Sequence, residues 1–311
     1  MKKIFLFVFV TVLVILIGGY YIFQNTLPVS SSENFKDFLI TKGSSASLVA
    51  NNLYKEGLIK NPLVFKVYTR LTGKSGSIQP GEYRLSPHFS LFDLLTELDK
   101  GPTEIWITIP EGLRREEIAV RYTQALKKDQ VFIDEFLNES KEYEGYLFPE
   151  TYLFQKDVTA KKIVEKMQST FETETANLNL SRDQVILASL IERETKTDSE
   201  RPIVAGIMMN RLEVGMALQI DAAVQYAVGT SKNWWPILTR DDLASSSPYN
   251  TYKFAGLPPS PIANAGLSSL MAAANPSKTD YWYYIHGTDG VIRYASTLSE
   301  HNENIRKYLG K

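Results

Sequence analysis

The sequence predicts an α+β protein in three parts: a single N-terminal transmembrane helix, a small α+β module, and a mostly helical domain with a small β element. Three observations carry that expectation. Residues 4–23 hold no charged side chain. Between residues 38 and 126 the order strand, polar turn, amphipathic helix recurs. Beyond residue 158, helix starts with side-chain caps follow one another until a short hairpin interrupts them near the C-terminus. The expected boundaries are 1–23 for a cytoplasmic tip and anchor, 24–34 for a tether, 35–107 for the module and 108–311 for the C-terminal domain.

The first segment reads IFLFVFVTVLVILIGGYYIF. As a helix it spans about 30 Å, the thickness of a bilayer's hydrocarbon core. A cleaved secretory signal is the alternative, with Lys2 and Lys3 as its basic start, but the apolar run is long and Gly18-Gly19-Tyr20-Tyr21 is a poor cleavage site. We expect a retained anchor in the cytoplasmic membrane. Because Lys2 and Lys3 precede the run and no basic residue follows until Lys36, the N-terminus is expected inside and the rest outside. The remaining composition, 44% hydrophobic and 22% charged over 311 residues, suits an ordinary globular chain. A net charge of −1 with no basic block gives no reason to expect a nucleic-acid partner. The absence of cysteine removes disulfides, thiolate nucleophiles and zinc ribbons together. His88, His286 and His301 are far apart and form no HExxH spacing, so neither a metal site nor another cofactor is expected.

Gln24 to Asn34, with Pro28 and three serines, reads as the tether. The module then shows its repeat in FLITKGSSASLVANNLYKEG, in YRLSPHFSLFDLLTELDKG and in WITIPEGLRREEIAVRYTQAL, with a further helix opened by Asn61-Pro62 and stopped by Gly73. These strand-turn-helix units resemble the LysM-like module of bacterial wall proteins, which implies binding of N-acetylglucosamine-containing glycan. A small spacer with no ligand is the other reading.

The C-terminal domain offers one stretch of unusual chemistry. After the aromatic turn Glu144 to Tyr152, EGYLFPETY, and a helix capped by Thr159, the run SRDQVILASLIERETKT opens on a capping box of Ser181 and Gln184. At about 100° per residue, Ile186, Leu187, Leu190 and Ile191 share one arc, and Glu194 projects from the middle of it. Glu192 falls on the other side, near Val185 and Ala188, where it and Arg193 can reach water. A carboxyl held against apolar neighbours loses hydration of its charged form, so its pKa should rise toward the range of a general acid. Alternatively, Glu194 sits at a fraying helix end and meets solvent. A second helix follows Glu200-Arg201-Pro202, Asp221 reads as the cap of AAVQYAV, and Thr239 opens a short turn of helix. Residues 245–266 hold four prolines and no acid, the composition of a long functional loop. The helix GLSSLMAAAN, a hairpin turning at Gly287-Thr288-Asp289-Gly290, and a final helix boxed by Thr297 and Glu300 complete the chain.

Taken together, ILASLIERET, SERPIVAGIMMNRLEVGMALQID, SPYNTYKFAGLPPSPIANAG and EGYLFPETY resemble the YceG-like family of endolytic murein transglycosylases. The resemblance implies cleavage of peptidoglycan glycan strands between N-acetylmuramic acid and N-acetylglucosamine, leaving 1,6-anhydro ends, beside wall synthases that extend the strands. By resemblance Glu194 is the catalytic residue. Gln219 and Asp221 match the Leu-Gln-x-Asp step, and Tyr249, Asn250 and Tyr252 match the Pro-Tyr-Asn-Thr-Tyr motif; all five are expected to hold substrate. The plainer readings are an N-cap for Asp221 and a wedge under the proline loop for the tyrosines. Asn210 is expected to orient Glu194 or to close its own helix, and Glu150 and Glu144 to tie the EGYLFPETY turn to the core. The chain departs from the family pattern at Ile220, where threonine is usual, and at Ser260 and Ala265, where glycine and proline are. Two further readings stay open: a muramidase-type hydrolase using Asp221 or Glu192 as a second carboxylate, and a wall-binding scaffold without activity.

Overall fold

The computed structural model describes residues 2–76 and 78–310, so Met1, the first residue of the expected cytoplasmic tip, lies outside the described residues. Two compact units emerge: Met1–Ile107 with Tyr152–Asp157, and Thr108–Thr151 with Val158–Lys311.

The first unit opens with α1 (Lys2–Thr26), whose Phe7–Thr26 portion is a 20-residue apolar helix with its side chains turned outward and unburied until the last turn. That is consistent with a membrane anchor. At its end the Tyr21 hydroxyl accepts a hydrogen bond from Asn61 Nδ2 at 3.0 Å. Then come β1 (Lys36–Ile40), α2 (Ala46–Lys55), α3 (Pro62–Leu71), a 3-10 turn at Lys74–Gly76, β2 (Gly81–Leu85), α4 (Leu91–Lys100) and β3 (Glu104–Thr108). The polar turns do what their sequence implies. Ser45 Oγ accepts from Leu48 N, Asn61 Oδ1 accepts from Leu63 N and Val64 N, and Ser90 with Asp93 forms a reciprocal box, each satisfying donors that a helix start leaves free. Strands β1 and β2 pair antiparallel with Phe38 opposite Tyr83, and their alternation turns Phe38, Ile40, Tyr83 and Leu85 onto Val49, Leu53, Phe65, Leu94 and Leu98. A fourth strand, β4 (Thr151–Gln155), returns to this sheet, whose order is β1-β2-β3-β4. Sequence reading put Thr151 and Tyr152 at the end of an aromatic turn and assigned no strand to the residues after them, because a five-residue strand so close to Pro149 offers little periodicity.

The second unit contains α5 (Arg115–Leu126), α6 (Gln130–Glu139), α7 (Ala160–Thr175), α8 (Arg182–Glu194), α9 (Arg201–Glu213), α10 (Asp221–Val228), α11 (Arg240–Leu243), α12 (Leu267–Ala274), the hairpin β5 (Tyr283–His286) and β6 (Ile292–Ala295), and α13 (Leu298–Leu309). Helix α8 is its centre. Ser181 and Gln184 cap it reciprocally, and α9, α10 and α12 pack around it. Every residue from Val185 to Ile191 is buried, so the helix is covered all round rather than along one arc. The face assigned to water is covered by the proline-rich loop and α12: Ser189 Oγ accepts from Ile262 N at 3.0 Å and donates to the Ile186 carbonyl at 2.7 Å. Helix α9 approaches the chain before β5 so closely that a Cβ on Gly206 would sit 2.0 Å from the Ser277 carbonyl oxygen. Only glycine fits there. In the hairpin Tyr284 faces Tyr294 across the antiparallel ladder, and Tyr281 stacks on Tyr294.

Candidate active site

Glu194 is the last residue of α8, half-buried, with Thr195 beyond it already extended. Its carboxylate Oε2 accepts a hydrogen bond from the Tyr284 hydroxyl at 2.9 Å. Tyr284 comes from β5, where the ladder points it back toward the end of α8. Burial raises the Glu194 pKa from 4.5 to about 7; the Tyr284 hydrogen bond opposes that rise, the Asp221 carboxylate adds to it, and Arg193 and Arg211 oppose it. The acid is therefore poised to exchange a proton near neutral pH. Tyr284 is itself pushed up, first by burial and then by the Glu194 charge, so its hydroxyl remains a donor.

Asp221 stands beside this pair at the first turn of α10. Ile220, not Asp221, occupies the cap position, which corrects the cap reading. The Asp221 side chain instead accepts from the Tyr252 hydroxyl at 2.6 Å. The step before it is pinned to the turn carrying Tyr252: Gln219 N donates to the Thr251 carbonyl at 3.0 Å, and Ile220 N donates to Thr251 Oγ1 at 2.9 Å. Gln219 is left in the left-handed region at φ 56°, uncommon for a residue with a side chain and typical of strained functional turns. Its side chain is exposed.

Buried Arg211 of α9 closes the other side. It donates through Nε to the Trp282 carbonyl and through a terminal nitrogen to the Leu218 carbonyl, each at 2.8 Å, with Tyr283 under its guanidinium at 5.2 Å. These contacts fix a cation that favours the ionised form of Glu194. Near the same helix end Arg193 lies over the Trp235 ring at 3.8 Å, and Trp235 Nε1 donates to Glu117 Oε2 at 2.9 Å.

Of the residues expected at the site, Glu194, Asp221 and Tyr252 come together. Asn250 does not join them: it is 0% exposed, donates to the Leu243 and Ser245 carbonyls and accepts from Tyr252 N, so its amide is consumed in shaping the loop. Tyr249 hydrogen-bonds Ser260 Oγ at 2.6 Å and packs on Tyr226, facing a different cavity. Asn210 neither orients Glu194 nor closes its helix; it donates to the Thr279 and Tyr281 carbonyls and ties α9 to the approach of β5. Glu150 is exposed and its carboxylate accepts from the adjacent Thr151 N, a local contact. Glu144 is the buried tie, accepting from Arg115 N, Asn264 Nδ2 and the Tyr226 hydroxyl. Glu192 is the clearest correction. Its side chain is 7% exposed, and it accepts from Ser269 Oγ at 2.8 Å and Gly266 N at 3.0 Å while facing Arg201. Sequence reading missed Tyr284 and Arg211; the alternating aromatics of YWYYI marked a strand but not which tyrosine faces Glu194.

One acid of raised pKa, steadied by a phenol and flanked by a second carboxylate at the end of a buried helix, is the arrangement an acid-base site requires, here in a mixed helix and sheet protein. Comparison with known proteins makes this more particular. The profile of the YceG-like family matches residues 38–307, and the chain belongs to that family. It is 34% identical to the endolytic murein transglycosylase of Bacillus subtilis strain 168 over 95% of this chain and 91% of that protein. It is 28% identical to the endolytic murein transglycosylase of Streptococcus pneumoniae D39 over 94% of this chain, spanning 62% of that longer protein. A crystal structure of a yceG-like protein from Listeria monocytogenes matches with a TM-score of 0.53 at 30% identity, over 88% of this chain and 99% of that one.

Proposed function

We infer that this chain is an endolytic lytic transglycosylase of peptidoglycan. The observation that carries the reading is Glu194: a carboxyl raised to about 7 and held by Tyr284, in a chain whose relatives across nearly its whole length bear that name. Glycosidases that use water need two carboxyl groups, one to protonate the leaving oxygen and one to act as nucleophile or to activate water. A transglycosylase of this kind needs one, because the nucleophile is the muramyl C6 hydroxyl, already tethered to the reacting sugar. Protonated Glu194 gives its proton to the bridging oxygen as the C1–O bond breaks. The C6 oxygen then bonds to C1, and its proton passes to the Glu194 carboxylate, which restores the acid. The muramyl acetamido group stabilises positive charge at C1. Arg211 and Tyr284 favour the carboxylate that exists between the two transfers. Asp221, Tyr252 and the exposed side chain of Gln219 offer polar and aromatic contacts suited to sugar.

The apolar helix α1 supports a single-pass anchor in the cytoplasmic membrane with the N-terminus inside and both units outside, where nascent glycan and its synthases are found. The order β1-α2-α3-β2 supports a LysM-like, glycan-holding role for the first unit. One observation favours a hydrolase instead: the Asp221 carboxylate is close enough to Glu194 to raise it, as a second acid would be. Mass spectrometry of the cleaved glycan decides between them. Anhydro-muramyl ends support the transglycosylase; reducing ends support the hydrolase.

A further inference from the structure

The EGYLFPETY turn and the proline-rich loop bring one residue to the Glu194 site, Tyr252, which is held there by its bond to Asp221. Their remaining aromatic and polar side chains meet elsewhere in the second unit. A cavity of about 630 Å³ is lined by Glu144 and Tyr146 from the first segment, by Tyr143 just before it, and by Tyr249, Ser260 and Pro261 from the second. Helices close it: Arg115 of α5, Phe171 and Glu172 of α7, Arg182 of α8 and Tyr226 of α10, with Lys141 and Glu142 at its rim. The walls are fixed. Glu144 is buried and saturated by Arg115 N, Asn264 Nδ2 and the Tyr226 hydroxyl. Tyr249 is held by Ser260 and Tyr226, and Tyr146 packs edge-on against Phe171. Gly145, at φ 88°, lets the turn pass where a Cβ would meet the Pro261 ring at 2.5 Å. These contacts shape a concave surface and leave its outer charges uncommitted.

Those charges carry both signs. Arg182 gives one N–H to the Pro259 carbonyl at 2.8 Å, and among the described residues neither Arg182 nor Lys141 forms an ion pair. Glu142 and Glu172 stand at the same mouth, and among the described residues neither forms an ion pair. A neutral sugar chain would need none of these separated charges, whereas a short peptide with carboxylates and an amine would use both kinds, with tyrosine faces against its aliphatic parts. Arg182 and Glu194 occupy opposite ends of α8, twelve residues apart, which at 1.5 Å per residue is about 18 Å. The cavity is thus rigidly coupled to the acid yet separate from it.

We propose that this cavity binds the peptide stem of peptidoglycan, a zwitterionic short peptide, with Arg182 and Lys141 taking its carboxylates and Glu142 and Glu172 its amine. The proposal rests on the transglycosylase reading and adds a substrate determinant to it. A peptide held about a helix length from the cut would favour internal bonds of a peptide-bearing strand over bare glycan ends.

The test uses the full chain on two substrates: glycan carrying its stems and the same glycan stripped of peptide by an amidase. The ratio of kcat/KM, stem-bearing over stripped, is expected to exceed one for the wild type. It should fall about tenfold in the Arg182→Gln, Lys141→Gln double variant, since two charge-assisted contacts are removed. Charge reversal of the opposite sign, Glu172→Lys, should lower the same ratio, which guards against a loss that is special to Arg182 and its bond to Pro259. A ratio unchanged in both variants, or an equal loss on both substrates, overturns the proposal. Anhydro ends persisting in every digest keep that failure separate from failure of the transglycosylase reading.

Discussion

In the proposed mechanism the chemistry depends on how the Glu194 carboxyl is hydrated. Its pKa of about 7 results from burial against which Tyr284, Arg193 and Arg211 pull. Removing the phenol hydroxyl takes away a donor that favours the charged form. Tyr284→Phe should therefore move the alkaline limb of kcat upward by about one pH unit, on the usual worth of a hydrogen bond to a charged group. A pH-rate profile checks it; a limb that moves down would mean that Tyr284 does not serve the carboxylate. The same pKa links to stability. Because the folded-state value is raised from 4.5, the folded protein binds more protons than the unfolded chain between about pH 4.5 and 7, and this group's contribution falls as pH rises through that window. Glu194→Gln removes the dependence. Relative to wild type it should gain stability from pH 4 to pH 8, by on the order of 2 kcal/mol after allowing for partial exposure of the site. Denaturant titration at the two pH values measures it. The rise of Glu194 was legible from its place after an apolar arc, but Tyr284 was not, because a contact spanning 90 residues leaves no local pattern.

Helix α8 was the most legible element and also the one most misread. Its capping box and span follow from local chemistry and appear as expected. Its surroundings do not follow: an amphipathic reading assigns Glu192 to water, whereas a central helix is covered on every side. Glu192 survives there because Ser269, Gly266 N and Arg201 satisfy it, joining α8 to α9 and α12. Truncating one partner of such a buried pair leaves the other uncompensated. Glu192→Ala should destabilise the protein by about 3–5 kcal/mol, read as a lowered denaturation midpoint, and is no neutral control for Glu194. An unchanged midpoint would show that Arg201 is held without it. The same limit explains Asn250 and Asn210. Motif position marks them, while only the folded chain reveals that their amides satisfy backbone carbonyls.

For the whole molecule, the parts most legible in the sequence were those with a simple period or a strong composition: the uncharged helix, the capped helices and the terminal hairpin. The return of Thr151–Gln155 to the first unit's sheet was hidden, since strand pairing over long separations depends on packing rather than on local preference. The assembled picture places one titrating acid at the end of a central helix, in a chain that begins with an apolar helix consistent with a membrane anchor. The measurement that tests it most directly is mass spectrometry of stem-bearing glycan digested by the wild type and by Glu194→Gln at matched folded concentration. The wild type is predicted to release fragments ending in 1,6-anhydro-muramic acid. Glu194→Gln should release them at least about 100-fold more slowly, the scale of a lost general acid-base group. Reducing ends from the wild type, or anhydro ends from Glu194→Gln at an undiminished rate, would contradict it.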